Sequence, residues 1–165
     1  SIHSAPGDGT TIRLYLPVSA EEQAAEGDAP VAAAGAFGQG RTVLVVEDDD
    51  EVRTLVASMM TRLGFLPILA ANGHQAVALL DETPHVDLMI TDVVMPGMSG
   101  LQLAIVAGDR RPQMPVIFIS GYSDETEALS EVLRAGGRLV SKPFSRAQLA
   151  TAVQAAMGER RDDGA

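Results

Sequence analysis

The chain has 165 residues, 46% of them hydrophobic, a formal charge of −10 and a pI near 4.6. That length suggests one domain with a real core and some chain left over, and the acidity argues against nucleic acid or an anionic membrane as a direct partner. Without cysteine there are no disulfides or thiolate metal sites, and without a signal peptide or an apolar run of roughly 20 residues the expectation is a soluble protein of a reducing, intracellular compartment.

Residues 1–17 read as a piece apart. Pro6-Gly7-Asp8-Gly9 is a turn signal, and Ile12, Leu14 and Leu16 then alternate with Thr11, Arg13 and Tyr15 as in a one-sided strand. On composition alone this could be a tag-like strand. It also resembles the last Gly-x-Gly-Thr turn and closing strand of the ATP-binding domain of sensor histidine kinases. A remnant of that kind implies that the rest of the nucleotide pocket is missing, so the chain alone should not bind ATP. A lone strand has an unpaired edge, which could lie loose, dock on its own domain or pair with a second copy as a homodimer. Residues 18–40 are rich in Ala, Glu, Gly and Pro, the composition of a linker.

From Arg41 onward strand and helix signals alternate. Val43-Leu44-Val45-Val46 is a buried strand, apolar on both faces. It runs into four acids, Glu47 to Asp50, and then into a helical pattern of Val52, Leu55, Val56, Met59, Met60 and Leu63. Leu66 to Ala70 is a second strand, followed by a helix with Asn72 as N-cap that carries Ala76, Val77, Leu79 and Leu80 inward. Asp87 to Thr91 is a third strand, ended by Asp92. Pro96-Gly97-Met98-Ser99-Gly100 breaks the chain before a helix over Leu101 to Ala107. Pro115 to Ile119 is the fourth strand, ended by Ser120-Gly121. A capping box at Asp124-Glu125-Thr126-Glu127 opens a helix that stops at Gly136-Gly137. Arg138 to Ser141 is the fifth strand. A second capping box at Ser145 to Gln148 starts the last helix, and the tail over 158–165 is polar.

Five strands with intervening helices imply right-handed crossovers and an α/β, doubly wound parallel sheet. The carboxyl ends of its strands share one rim, where ligands bind. Glu47 with Asp48, Asp92, Ser120 and Lys142 each follow a strand directly. They should therefore meet in space. A capping role would explain Asp92 alone, and helix-dipole complementarity explains Asp50 and Glu51. Neither accounts for acids abutting a strand. Three carboxylates in one pocket push at least one pKa up unless a divalent cation joins them. Oxygen-only ligands point to Mg²⁺. Lys142 is the only lysine in the chain, beside eleven arginines. Its compact ammonium suits a phosphoryl oxygen and a neighbouring aspartate, and a cis bond to Pro143 fits the turn. Ser-Gly after a strand is often only a turn, so Ser120 counts through its place on the rim. His3, His74 and His85 are isolated and read as surface residues.

Four stretches match one family in order: Val-Leu-Val-Val-Glu-Asp-Asp, Ile-Thr-Asp-Val-Val-Met-Pro-Gly-Met-Ser-Gly, Val-Ile-Phe-Ile-Ser-Gly-Tyr and Val-Ser-Lys-Pro-Phe. They resemble the response-regulator receiver domain, a flavodoxin-like fold, over 41–157. The resemblance implies that Asp92 is the phosphoacceptor. It implies Asp48 as a direct Mg²⁺ ligand, Glu47 as the acid that holds metal-bound water, and the Val94 carbonyl as a further ligand. Ser120 would hydrogen-bond the phosphoryl group and Lys142 would pair with it. The implied donors and partners are a histidine kinase or a histidine phosphotransfer domain. The expected location is cytoplasmic, under a parent kinase that could be membrane-anchored, with no membrane contact of the domain itself. A kinase ending, a linker and a receiver is the order of hybrid sensor histidine kinases. No DNA-binding domain is expected after Met157, and the segment would assist only its own phosphorylation and dephosphorylation.

Leu139 stands where the family often has an aromatic switch residue. Val94 and Tyr122 flank the site, and an apolar Val94 offers no hydrogen bond to an attacking water. Two other readings stay open: a Mg²⁺-dependent phosphohydrolase with an aspartate nucleophile, in which a second Asp would be expected where Val94 stands, and a receiver-shaped interaction module that is never phosphorylated.

Overall fold

Among the described residues from 37 onward, the apolar runs flanked by turn residues form strands and the 3.6-residue patterns between them form helices. The structure, a computed structural model, describes residues 2–5, 9–12, 37–121 and 137–158. The chain divides into two units, Ser1–Ala34 and Gly35–Ala165. In the first, β1 (Ile2–Ala5) pairs antiparallel with β2 (Gly9–Ile12), with Ile2 opposite Ile12 and Ala5 opposite Gly9. The expected lone strand is thus one arm of a hairpin. Ile2–Ala5 is too short to announce itself by alternation. Residues 13–16, which the sequence reading placed in that strand, lie outside the described residues.

The second unit holds β3 (Thr42–Val46), α1 (Asp50–Arg62), β4 (Leu66–Ala70), α2 (Gly73–Glu82), β5 (Leu88–Asp92), α3 (Gly100–Arg110), β6 (Val116–Ser120), β7 (Arg138–Ser141) and α4 (Arg146–Gly158). The capping box and helix expected over Asp124 to Gly136 lie outside the described residues. The five strands are parallel in the order β4-β3-β5-β6-β7. From β3 the chain steps outward to β4 and then back across to β5, so the direction of winding reverses between β3 and β5. That switch point opens a crevice at the carboxyl ends of these two strands.

Side chains alternate across the sheet and build two apolar layers. Val43, Val45, Ile90 and Ile119 pack with Val56 and Met60 of α1 and Leu149 and Val153 of α4. Leu44, Val46 and Met89 pack with Ala76 and Leu80 of α2 and Leu103 and Ala107 of α3. The expected inward residues of α2 hold, and Asn72 caps it by accepting the Gln75 N–H at 2.9 Å. Leu55, part of the α1 pattern, is exposed instead. A capping box not among the expected two starts α3: the Ser99 hydroxyl accepts the Gln102 N–H, and the Gln102 amide oxygen accepts the Ser99 N–H.

Candidate functional site

The rim residues are set by where the strands stop. The strand β3 ends at Val46, and Glu47 follows with its N–H still bonded to the Ala70 carbonyl at 3.2 Å. Asp92 is the last residue of β5, and its neighbour Val93 bonds through its N–H to the Ile119 carbonyl of β6 at 2.9 Å. Ser120 ends β6 opposite Ser141, and the Lys142 N–H donates to the Ser120 carbonyl at 2.7 Å. The Lys142–Pro143 peptide is cis.

Glu47 and Asp92 are buried, at 2% and 7% exposure, whereas Asp48 is exposed. One carboxylate oxygen from each of the three lies within 4.8 Å of the other two. The Lys142 ammonium donates to Glu47 Oε2 at 2.8 Å and to Asp92 Oδ2 at 2.7 Å, bridging the two buried acids. The Val94 N–H donates to Asp92 Oδ1 at 3.3 Å, and Val94 itself is 55% exposed. Ser120 is buried on the neighbouring strand end. The structure therefore joins Glu47, Asp92 and Lys142 by hydrogen bonds, brings an Asp48 oxygen within 4.8 Å of both acids, and sets Ser120 and Val94 on the adjoining strand end and loop.

Burial pushes the Glu47 carboxyl up to about 7, aided by the Asp92 charge and opposed by Lys142. Burial alone would lower the Lys142 ammonium, but its hydrogen bonds to Asp92 and Glu47 outweigh that and raise it. A site with more buried acid than base, and only oxygen donors, is matched to a hard divalent cation.

The sequence pattern of the response regulator receiver domain matches residues 43–154. This chain belongs to the response-regulator receiver family. The sensor kinase CckA of Brucella abortus (strain 2308) is 37% identical over 167 residues, covering 96% of this chain and 18% of that protein. Among solved structures, a response regulator receiver protein from Sinorhizobium medicae WSM419 is 31% identical with a TM-score of 0.65, covering 74% of this chain and 98% of that one. A CheY-like receiver domain protein from Methanospirillum hungatei JF-1 is 25% identical with a TM-score of 0.69, covering 76% and 99%. The chain spans about a fifth of the length of the first curated relatives it matches, 18% for CckA and 23% for NtrX-like regulators of Rickettsia. As a receiver it is part of two-component signal transduction, and its sheet is the flavodoxin-like fold of that family. No helix among the described residues is long and apolar enough to cross a membrane.

Two contacts brace this site from behind, one made by Gly100 at the end of the Asp92 motif and one by Arg53 outside the motifs. Gly100 opens α3 with its N–H on the Val93 carbonyl, so close to β5 that a Cβ there would sit 2.0 Å from the Asp92 carbonyl oxygen. Only a residue without a side chain lets α3 begin against the strand that ends in Asp92. Arg53, 13% exposed at its side chain, reaches back from α1 to the Glu47 carbonyl at 2.7 Å. Leu139, at the position often aromatic in the family, is half-buried against Val93 and Phe118. Tyr122 and the loop after Gly121 lie outside the described residues. His74 and His85 are exposed, as expected.

Proposed function

We propose that Asp92 accepts a phosphoryl group from a phosphohistidine of a histidine kinase or histidine phosphotransfer domain. The observation that carries this is the Lys142 ammonium bridging Asp92 and Glu47 at 2.7 and 2.8 Å inside a cluster of three carboxylates. The residues suited to hold Mg²⁺ are Asp48, Asp92 and the Val94 carbonyl, with Glu47 holding metal-bound water. When bound, the ion supplies positive charge that offsets the phosphoryl oxygens and relieves the crowded carboxylates.

Asp92 is the nucleophile: a carboxylate oxygen bonds to phosphorus as the phosphorus–nitrogen bond breaks, and the departing imidazole regains its lone pair. Lys142 stands ready to pass one of its hydrogen bonds from a carboxylate to a phosphoryl oxygen. The Ser120 hydroxyl, on the adjacent strand end, donates to another. Hydrolysis of the acyl phosphate returns Asp92 to its carboxylate. Val94 has no polar atom in its side chain to align the attacking water, so this step is slow to moderate. A phosphoryl half-life near seconds would count against that.

The alignment with CckA takes in nearly the whole chain, amino-terminal segment included. This supports a hybrid sensor histidine kinase as the parent, with 1–17 as the end of its ATP-binding domain, 18–40 as linker and 41–157 as its receiver. The receiver then works in the cytoplasm. The test is beryllofluoride with Mg²⁺ followed by NMR: the full chain shifts at the rim, and Asp92→Asn abolishes the response. An unresponsive wild-type chain would favour a receiver-shaped interaction module that is never phosphorylated.

A further inference from the structure

We infer that Arg53 is a positioning residue that fixes the acidic turn for cation binding, an inference that rests on the metal-site reading above. Glu47 to Glu51 are five consecutive acids at the exit of β3. Mutual repulsion drives such a run to splay, yet the Glu47 and Asp48 carboxylates converge with Asp92 within 4.8 Å. Two backbone contacts hold the turn. The Glu47 N–H is tied to Ala70 on β4, and the Glu47 carbonyl, beyond the end of the β3 ladder, accepts from Arg53 Nη1 at 2.7 Å. The same nitrogen approaches the Asp48 carbonyl at 3.5 Å, while Nη2 pairs with the Asp50 carboxylate. Arg53 is itself anchored one helical turn into α1, where its N–H bonds to the Asp49 carbonyl at 2.9 Å.

The rigid guanidinium fork therefore locks the peptide between Glu47 and Asp48 and, through it, the direction of both side chains. A lysine cannot hold the Glu47 carbonyl and Asp50 in one plane. Arg53 touches the backbone of the acids and acts through them.

Charge and positioning predict opposite signs. Removing a cation beside an acidic cluster strengthens Mg²⁺ binding by Coulomb's law alone. Loss of a group that orients metal ligands weakens it, typically by roughly 10–100-fold. The experiment titrates the full chain with MgCl₂ and reads Kd from the amide shifts of Asp48 and Val94, with a thermal melt for each variant. Arg53→Ala is expected to weaken Mg²⁺ at least about tenfold. Arg111→Ala, a change far from the rim, is expected to lower the melting temperature and leave Kd as in wild type. Unchanged or tighter binding in Arg53→Ala overturns the inference and leaves the metal site standing, as does equal weakening in Arg111→Ala. If Arg53→Ala does not fold, Arg53→Lys takes its place: Kd weaker than wild type supports the inference and an unchanged Kd overturns it. A wild-type chain with no saturable Mg²⁺ response sinks the metal-site reading and this one together.

Discussion

The two ends of the parallel sheet hold their polar groups in opposite ways. At the carboxyl ends, Glu47 and Asp92 are buried side by side with one ammonium between them. At the amino ends, Arg111 spreads its guanidinium over the carbonyls of Leu80, Thr83 and Pro84 at 3.1, 2.8 and 2.7 Å, capping the last turn of α2. Beside it Arg110 pairs with Asp81 at 2.8 Å, and Thr42 and Asp87 exchange hydrogen bonds across the starts of β3 and β5. A cleft of about 450 Å³ lies there, lined among others by His85, Asp87 and Gln113. One end satisfies its polar groups from within. The other packs two buried carboxylates onto a single ammonium, and a carboxyl perturbed as Glu47 is by that arrangement is commoner at functional sites than elsewhere.

The sharpest break of this contrast is Asp92→Asn. It keeps the shape of the rim, removes the nucleophile, and is expected to end all incorporation of base-labile, hydroxylamine-sensitive phosphate from a phosphohistidine donor; retained labelling would move the phosphoacceptor elsewhere. Next in size is Gly100→Ala. Its Cβ would lie 2.0 Å from the Asp92 carbonyl oxygen, so α3 must shift. A loss of about 1–3 kcal/mol in urea denaturation is expected, with slower phosphorylation as β5 moves.

The pH dependence sharpens the same contrast. Glu47 has its folded pKa raised from 4.5 to about 7. Its protonated form thus stabilises the metal-free fold. That contribution is complete below the unfolded value and is lost as pH rises through about 7. Mg²⁺ favours the ionised form, so its affinity should weaken about tenfold between pH 8 and pH 6, with proton release on binding at the lower pH. Calorimetry in two buffers measures both effects, and Glu47→Gln should flatten the profile.

The smallest effect belongs to the satisfied end. Arg111→Ala leaves three helix-end carbonyls to water and should cost about 1–2 kcal/mol of stability. Phosphate incorporation into Asp92 should match wild type. A clear loss of phosphorylation would mean the two ends are coupled.

The fold was legible because each central strand is an unbroken apolar run ended by a polar residue. Val43 to Val46 before Glu47 and Leu88 to Ile90 before Thr91 and Asp92 needed no tertiary information. Parallel winding then forced their ends onto one rim. Less was legible at the edges. Ile2–Ala5 gave no strand signal, and Leu55 sits in the α1 pattern yet faces solvent. Arg53 and Arg111 were invisible for a shared reason: each acts on backbone carbonyl oxygens, which every residue carries and no sequence pattern marks. Gly100 stood in a motif, but its close approach to the Asp92 carbonyl did not show there.

By itself, the order of apolar runs, turns and strand-end acids determined the doubly wound sheet and which side chains share its rim, because side-chain period and crossover handedness leave little choice. Only the tertiary structure decided that a single lysine joins Glu47 to Asp92, that Arg53 braces the acidic turn and that α3 starts against β5. Those contacts depend on distances of a few ångströms between groups whose partners the linear chain does not name.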